Sequence, residues 1–169
     1  TLAIGSAALL FFAGVAVASA SAATYYVSTS GSDGNPGTIS QPFRTIQKAA
    51  DIVSPGDTVT VRNGTYTDAV NITRSGTSNQ WITFKAENKW GAVIDGMDTG
   101  AVGFTTYNTG YIRIEGFEVK DWNSHGMLAE DNSHSIYFLR NHVHHIGNFC
   151  TDTQYGITAF YGRTSAHDL

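Results

Sequence analysis

A chain of 169 residues with 14% charged side chains, 12% aromatics and 18 glycines suits one turn-rich domain built on β-structure, not a helical bundle. The net charge of −4, with no basic run, excludes the electrostatic footprint of a nucleic-acid partner. The single cysteine, Cys150, excludes an intrachain disulfide framework and is read as a spare thiol, so stability has to come from a large core or from stacked repeats.

Residues 1–32 carry no charge. The apolar stretch from Leu2 to Val17 leads into Ala18-Ser19-Ala20-Ser21-Ala22-Ala23. Small residues at alternate positions after an apolar run mark a signal-peptidase site. Residues 1–23 are therefore expected to be a signal peptide lacking its basic start, and the mature protein to be secreted. The run is shorter than the ~20 residues that a membrane-spanning helix needs, so no span is expected.

Residues 24–66 are expected to hold a first strand, a loop and a helix that caps the remainder of the fold. Thr24 to Val27 opens the segment. Ser28 to Ser40 is a loop, with turn chemistry at Asp33-Gly34 and Asn35-Pro36-Gly37. Phe43, Ile46, Ala50 and Val53 then fall at helical spacing, with Thr45 or Ser40 as N-cap. Ser54-Pro55-Gly56-Asp57 ends that helix, Thr58 to Arg62 alternates as a strand, and Asn63-Gly64 turns it.

From residue 67 to 169 the spacing predicts only short strands: Ala69 to Ile72, Trp81 to Ala86, Ala92 to Ile94, Val102 to Phe104, Tyr111 to Val119, Gly126 to Glu130, Ile136 to Val143 and Gly156 to Phe160. Such a series fits a sandwich, a barrel or a solenoid. Repetition favours the solenoid. Tyr111-Ile112-Arg113-Ile114-Glu115-Gly116-Phe117 aligns with Ile136-Tyr137-Phe138-Leu139-Arg140-Asn141-His142, which matches Gly116 to Asn141 at a period of about 25 residues. Gly126 matches Gly156 in the same way, about 30 residues on. Each turn of chain then exposes strands that pair with the turns above and below, burying an apolar column that no single turn could bury alone. The helix near Thr45 to Val53 is placed to cover the open first turn, and a piece ending at Leu169 is expected to fray or aggregate by itself.

These residues also carry a resemblance. Tyr26-Val27-Ser28, Gly31-Ser32-Asp33, Asn35-Pro36-Gly37-Thr38, Gln41-Pro42-Phe43-Arg44-Thr45-Ile46-Gln47-Lys48-Ala49, Pro55-Gly56-Asp57-Thr58-Val59 and Asn63-Gly64-Thr65-Tyr66 resemble the opening of secreted parallel β-helix proteins, bacterial β-helix pectate lyases among them. Ser75-Gly76-Thr77, Trp81 to Ala86, Val93-Ile94-Asp95-Gly96 and Tyr111 to Phe117 are similar to chondroitinase B and alginate lyases. The resemblance covers roughly Tyr25 to Val143. It implies an all-β, right-handed parallel β-helix with an N-terminal capping helix. It further implies a monomeric extracellular protein that acts on an acidic polysaccharide, as a lyase cleaving a uronic-acid polymer by β-elimination with Ca²⁺. In such lyases the acidic cluster and the base lie several coils in, so the main catalytic residues are expected beyond Leu169.

In this fold family the first strand of each coil and the loop before it line the substrate groove. Here those strands would be Gly126 to Glu130 and Gly156 to Phe160, and the loops Lys120 to His125 and Gly147 to Tyr155. Alternation sets Met127, Ala129, Ile157 and Ala159 inward and Leu128, Glu130, Thr158 and Phe160 outward. A uronate lyase needs a base poised near working pH, for which Lys120, the only lysine after Lys89, is the candidate. Asp121, Trp122, Glu130, Asp131, Asp152, Tyr155 and Tyr161 are the candidate substrate-binding residues: aromatic faces stack on sugars, and carboxylates hold Ca²⁺. Two alternatives stay open. A glycoside hydrolase on the same scaffold would use Glu130 with Asp152 as its carboxylate pair, and a non-catalytic surface protein would only bind glycan. His142 and His144 share one strand face and His145 lies on the other; without a third ligand they are read as polar positions at a strand end. Asn63-Gly64-Thr65 and Asn71-Ile72-Thr73 match the glycosylation sequon.

Overall fold

The computed structural model describes residues 21–147, and residues 158–162 as backbone. After strand β1 (Thr24–Val27) and helix α1 (Ile46–Ile52), the chain winds through four turns of three strands each. The first holds β2 (Thr58–Val61), β3 (Gly64–Tyr66) and β4 (Val70–Ile72), and the second β5 (Ile82–Ala86), β6 (Ala92–Asp95) and β7 (Val102–Tyr107). The third holds β8 (Gly110–Glu115), β9 (Glu118–Trp122) and β10 (His125–Glu130), and the fourth β11 (His134–Leu139), β12 (His142–Ile146) and β13 (Thr158–Gly162). Like strands stack into three sheets: sheet A (β1-β2-β5-β8-β11), sheet B (β3-β6-β9-β12) and sheet C (β4-β7-β10-β13). Every strand pairing within them is parallel. This is the expected all-β parallel β-helix.

Inside, the windings stack like on like. Val59, Phe84 and Ile114 form one column with the half-buried Phe138. Ile82, Ile112 and Ile136 form a second, and Val70, Phe104 and Met127 a third. Stacking is what removes these side chains from water, because one winding has no second layer to pack against.

Helix α1 begins where expected. Thr45 is its N-cap and its Oγ1 accepts from Lys48 N–H at 3.2 Å. Asp33 reaches across from the preceding loop and accepts from the backbone N–H groups of Arg44 and Thr45, both at 2.9 Å, and from the Thr45 hydroxyl. The helix does more than bury Ile46, Ala49 and Ala50. Gln47 donates to Asn71 O at 3.0 Å and accepts from Asn71 N–H at 2.7 Å, so a side-chain amide pairs the backbone of β4 where a further strand would otherwise sit.

The strand after the helix ends before a bend at Asn63, as expected, and Gly64 already opens β3. Two sequence expectations change. The runs Tyr111 to Val119 and Ile136 to Val143 are each two strands, split at Gly116-Phe117 and Arg140-Asn141. The register is also one residue shorter than expected: Leu139 pairs with Glu115 and His142 with Glu118. Gly116 therefore stacks under Arg140, both left-handed (φ 77° and 55°). Asn141 lies above Phe117, where its side chain accepts from Phe117 N–H and donates to Ile114 O, each at 2.9 Å. The corner needs an amide that can serve two backbone groups, and Asn141 supplies it.

Candidate functional site

Strand β9 carries three of the sequence candidates, which were expected in a loop. Val119 faces the core, so Glu118 and Lys120 face outward on sheet B. Asp95 on β6 pairs beside Lys120, and Asp121 takes a left-handed conformation (φ 58°) that ends the regular alternation. The result is a triad: Lys120 Nζ lies 2.8 Å from Asp95 Oδ2 and 2.5 Å from Asp121 Oδ2. The hydrogen bonds to Asp121 and then Asp95 hold the ammonium well above the usual lysine range. Burial works to raise the Asp95 carboxyl, but Lys120 and the Met97 N–H together keep it below its ordinary value. The structure thus sets Lys120 in an ion-paired triad with two carboxylates, unlike the lowered-pKa lysine that a general base requires.

Trp122 is buried at the end of β9, not exposed in a loop as expected. It is 1% exposed, and its Nε1 donates to Ile94 O at 3.1 Å. The slot it fills is made by glycines of the winding below. A Cβ on Gly96 would meet the Trp122 ring at 2.6 Å, one on Gly103 would sit 3.1 Å from Nε1, and one on Gly100 would collide with the benzo edge. The indole is a structural plug and has no open face on which a sugar ring could stack.

The remaining candidates disperse. Glu130 ends β10, opposite Tyr107 in register. Asp131 follows it with φ 51°, and its hydrogen bond with the Tyr107 phenol raises the pKa of that phenol. This pair lies at the far end of β10 from Trp122. Asp152 and Tyr155 lie outside the described residues, as do Cys150 and residues 1–20 of the expected signal peptide. On β13, pairing sets Thr158 beside His125, Phe160 beside Met127 and Tyr161 beside Leu128. In this register Gly126 falls beside Ala159, not beside Gly156 as expected.

A depression of about 360 Å³ lies on the outer face of sheet C, lined by Asp68, Asn71, Thr105, the Gly100-Ala101 turn and the edge of Trp122. Asn71 and Thr105 are direct register partners within it. Asn71 and Thr105 are the residues that alternate outward between core positions on β4 and β7, but only the register across windings brings them together.

The fit to Ca²⁺ can be tested on the side chains present. Calcium takes six to eight oxygen ligands. Among the described residues, the one group of three or more metal-ligating side chains is Glu118, His142 and His144, which is rich in nitrogen. Asp95 and Asp121 are already bridged by Lys120. The described residues therefore do not fit a calcium site.

The windings described above fall within one family's model. Residues 25–168 match the Pel9A-like right-handed β-helix region; the chain belongs to that family. Among curated relatives it is 40% identical over 89 residues to the uncharacterized protein YwoF of Bacillus subtilis, covering 53% of this chain and 18% of that protein. It is 43% identical over 79 residues to pectate lyase PEL9 of Emericella nidulans, covering 46% of this chain and 19% of that enzyme. The chain thus matches about a fifth of the length of either relative. Among solved structures, pectate lyase Pel9A superposes with a TM-score of 0.61 at 22% identity, over 73% of this chain and 34% of that one. A GH136 lacto-N-biosidase from Eubacterium ramulus superposes with a TM-score of 0.70 at 18% identity, over 82% and 30%. At these identities both structures speak to the fold alone.

Proposed function

We propose that this chain forms the first windings of a secreted polysaccharide lyase that cleaves a uronic-acid polymer by β-elimination, with the polymer lying along the outer face of sheet C. The observation that carries the reading is the 43% identity to a pectate lyase, in a chain whose groove falls on sheet C and the loops before its strands. On this reading residues 1–23 direct secretion and residues 24–66 cap the helix. Asn71 and Thr105 supply neutral hydrogen-bonding groups to sugar hydroxyls. Lys120 is a fixed structural cation, so the base that abstracts the proton α to the uronate carboxyl belongs to residues outside those described. The family resemblance implies Ca²⁺ to neutralise that carboxylate; the described side chains do not assemble its ligands.

The test is to incubate the protein carrying this chain with pectate, alginate, rhamnogalacturonan and chondroitin, with Ca²⁺ supplied, and to follow ultraviolet absorbance of the unsaturated product. Release from at least one uronate polymer is expected. Reducing ends without the unsaturated chromophore would instead identify a hydrolase.

One observation favours a second reading, that of a glycan-binding surface without turnover. On sheet A, Trp81 and Tyr137 stack at 4.7 Å, Tyr111 meets Trp81 edge-on, and Tyr137 is 39% exposed. Glycan binding that is lost in Tyr137→Ala, with no product from any polymer, would support it.

A further inference from the structure

Strands β9 and β12 are neighbours in sheet B, with His142 directly paired to Glu118 and His144 to Lys120. Glu118, His142 and His144 therefore share one outer face, on two successive windings. One ligand atom from each lies within 4.8 Å of the other two, and His144 Nε2 is 3.1 Å from Glu118 Oε1. Tetrahedral zinc, with bonds of 2.0–2.1 Å, holds its ligand atoms about 3.3 Å apart. The Glu118–His144 edge already has that spacing, and His142 is exposed and closes the set by side-chain rotation. We propose that Glu118, His142 and His144 bind a divalent first-row transition cation, Zn²⁺ or one like it, which clasps the third and fourth windings and keeps an open coordination position toward solvent.

Three further features set this cluster apart from ordinary polar residues on a wet strand. First, His144 Nδ1 lies 2.9 Å from His145 Nδ1, and that ring is 3.6 Å from Asp121 Oδ1. A ligating imidazole is commonly oriented by a partner on its other nitrogen, and His145 is placed to be that partner. Second, His142 packs at 5.1 Å against Trp90, whose indole N–H donates to Arg140 O at 2.9 Å. Third, Lys120, the register partner of His144, is neutralised by Asp95 and Asp121, so it does not oppose a divalent ion. Two imidazoles with one carboxylate suit zinc and its neighbours; calcium prefers an all-oxygen shell.

The experiment is calorimetric titration of untagged, chelator-treated protein with Zn²⁺ in the presence of excess Ca²⁺, together with visible spectra after Co²⁺ loading. The inference predicts Zn²⁺ binding that Ca²⁺ does not displace, and intense Co²⁺ bands typical of four or five ligands. Zn²⁺ should also raise the melting temperature. The double variant His142→Ala/His144→Ala should lose all three signals, and Glu118→Gln should weaken binding at least as much as loss of the outer partner. His145→Ala should weaken it by about 10-fold or more. His134→Ala, on sheet A, should leave affinity unchanged. Wild-type protein that gives only weak, aquo-like Co²⁺ bands would overturn the assignment, and that reading does not depend on whether any variant folds. So would Zn²⁺ affinity that survives the double substitution.

Discussion

Sheets B and C are wound from the same backbone, and their inner sides are alike. Tyr66, Ile94 and Val119 stack inside sheet B much as Val70, Phe104 and Met127 stack inside sheet C. Outside they part. Sheet C presents Asn71 and Thr105 to its groove, with Asp68 as the one carboxylate among the residues that line it. Sheet B presents Asp95, Glu118, Lys120, His142 and His144, all titratable. The inner columns fix the winding, which leaves each outer face free to carry its own chemistry. The proposed polymer track lies on sheet C, and a cluster of ionisable groups sits one sheet away on sheet B.

Trp122 joins the two regions, and its substitution should have the largest effect. Trp122→Ala should destabilise the protein by about 3–5 kcal/mol, the cost of emptying a large core site, measured by chemical denaturation. Were the indole a sugar platform instead, the same change would weaken glycan binding and leave stability nearly untouched. Lys120→Met separates the faces further. It leaves Asp95 and Asp121 without their cation and should cost about 1–2 kcal/mol, with activity on the polymer kept and its pH optimum unmoved. Loss of all turnover in a folded variant would restore Lys120 as the base.

The same triad sets the sign of the pH dependence. The folded pKa of Lys120 is raised, so its contribution is complete below the ordinary 10.5 and fades as alkali climbs through the higher folded value. The folded pKa of Asp95 is lowered, so its contribution is present above 3.8 and is lost as pH falls through the folded value. Lys120→Met should flatten both limbs of the stability profile. The smallest effect belongs to the cap: Thr45→Ala should cost about 1 kcal/mol. Asp33, which burial would raise but hydrogen bonds from Thr45 and Arg44 hold low, adds to the acid limb only.

Much of the winding was legible because β-branched alternation and the Phe43, Ile46, Ala50, Val53 spacing report local structure directly. The corners were not. Phe117 at one corner is fully buried, so hydrophobicity does not fall where β8 gives way to β9, and two strands read as one. That blurred corner cost a residue of register, with a large consequence for the site. At a period of about 25 residues His142 sits over Phe117; in the structure it sits over Glu118. The histidines were visible in the sequence, and their missing third ligand was hidden by the slip. Trp122 was misread for a related reason, since the glycines that make its slot come from another winding.

Hydrogen–deuterium exchange of the protein carrying this chain, with and without an oligouronate of the polymer it acts on, tests the division of faces most directly. Protection should appear in segments 67–72, 100–107 and 125–130 of the groove side, and be small in 142–146. Protection centred on 142–146, or none in the three groove segments, would contradict the placement of the polymer on sheet C.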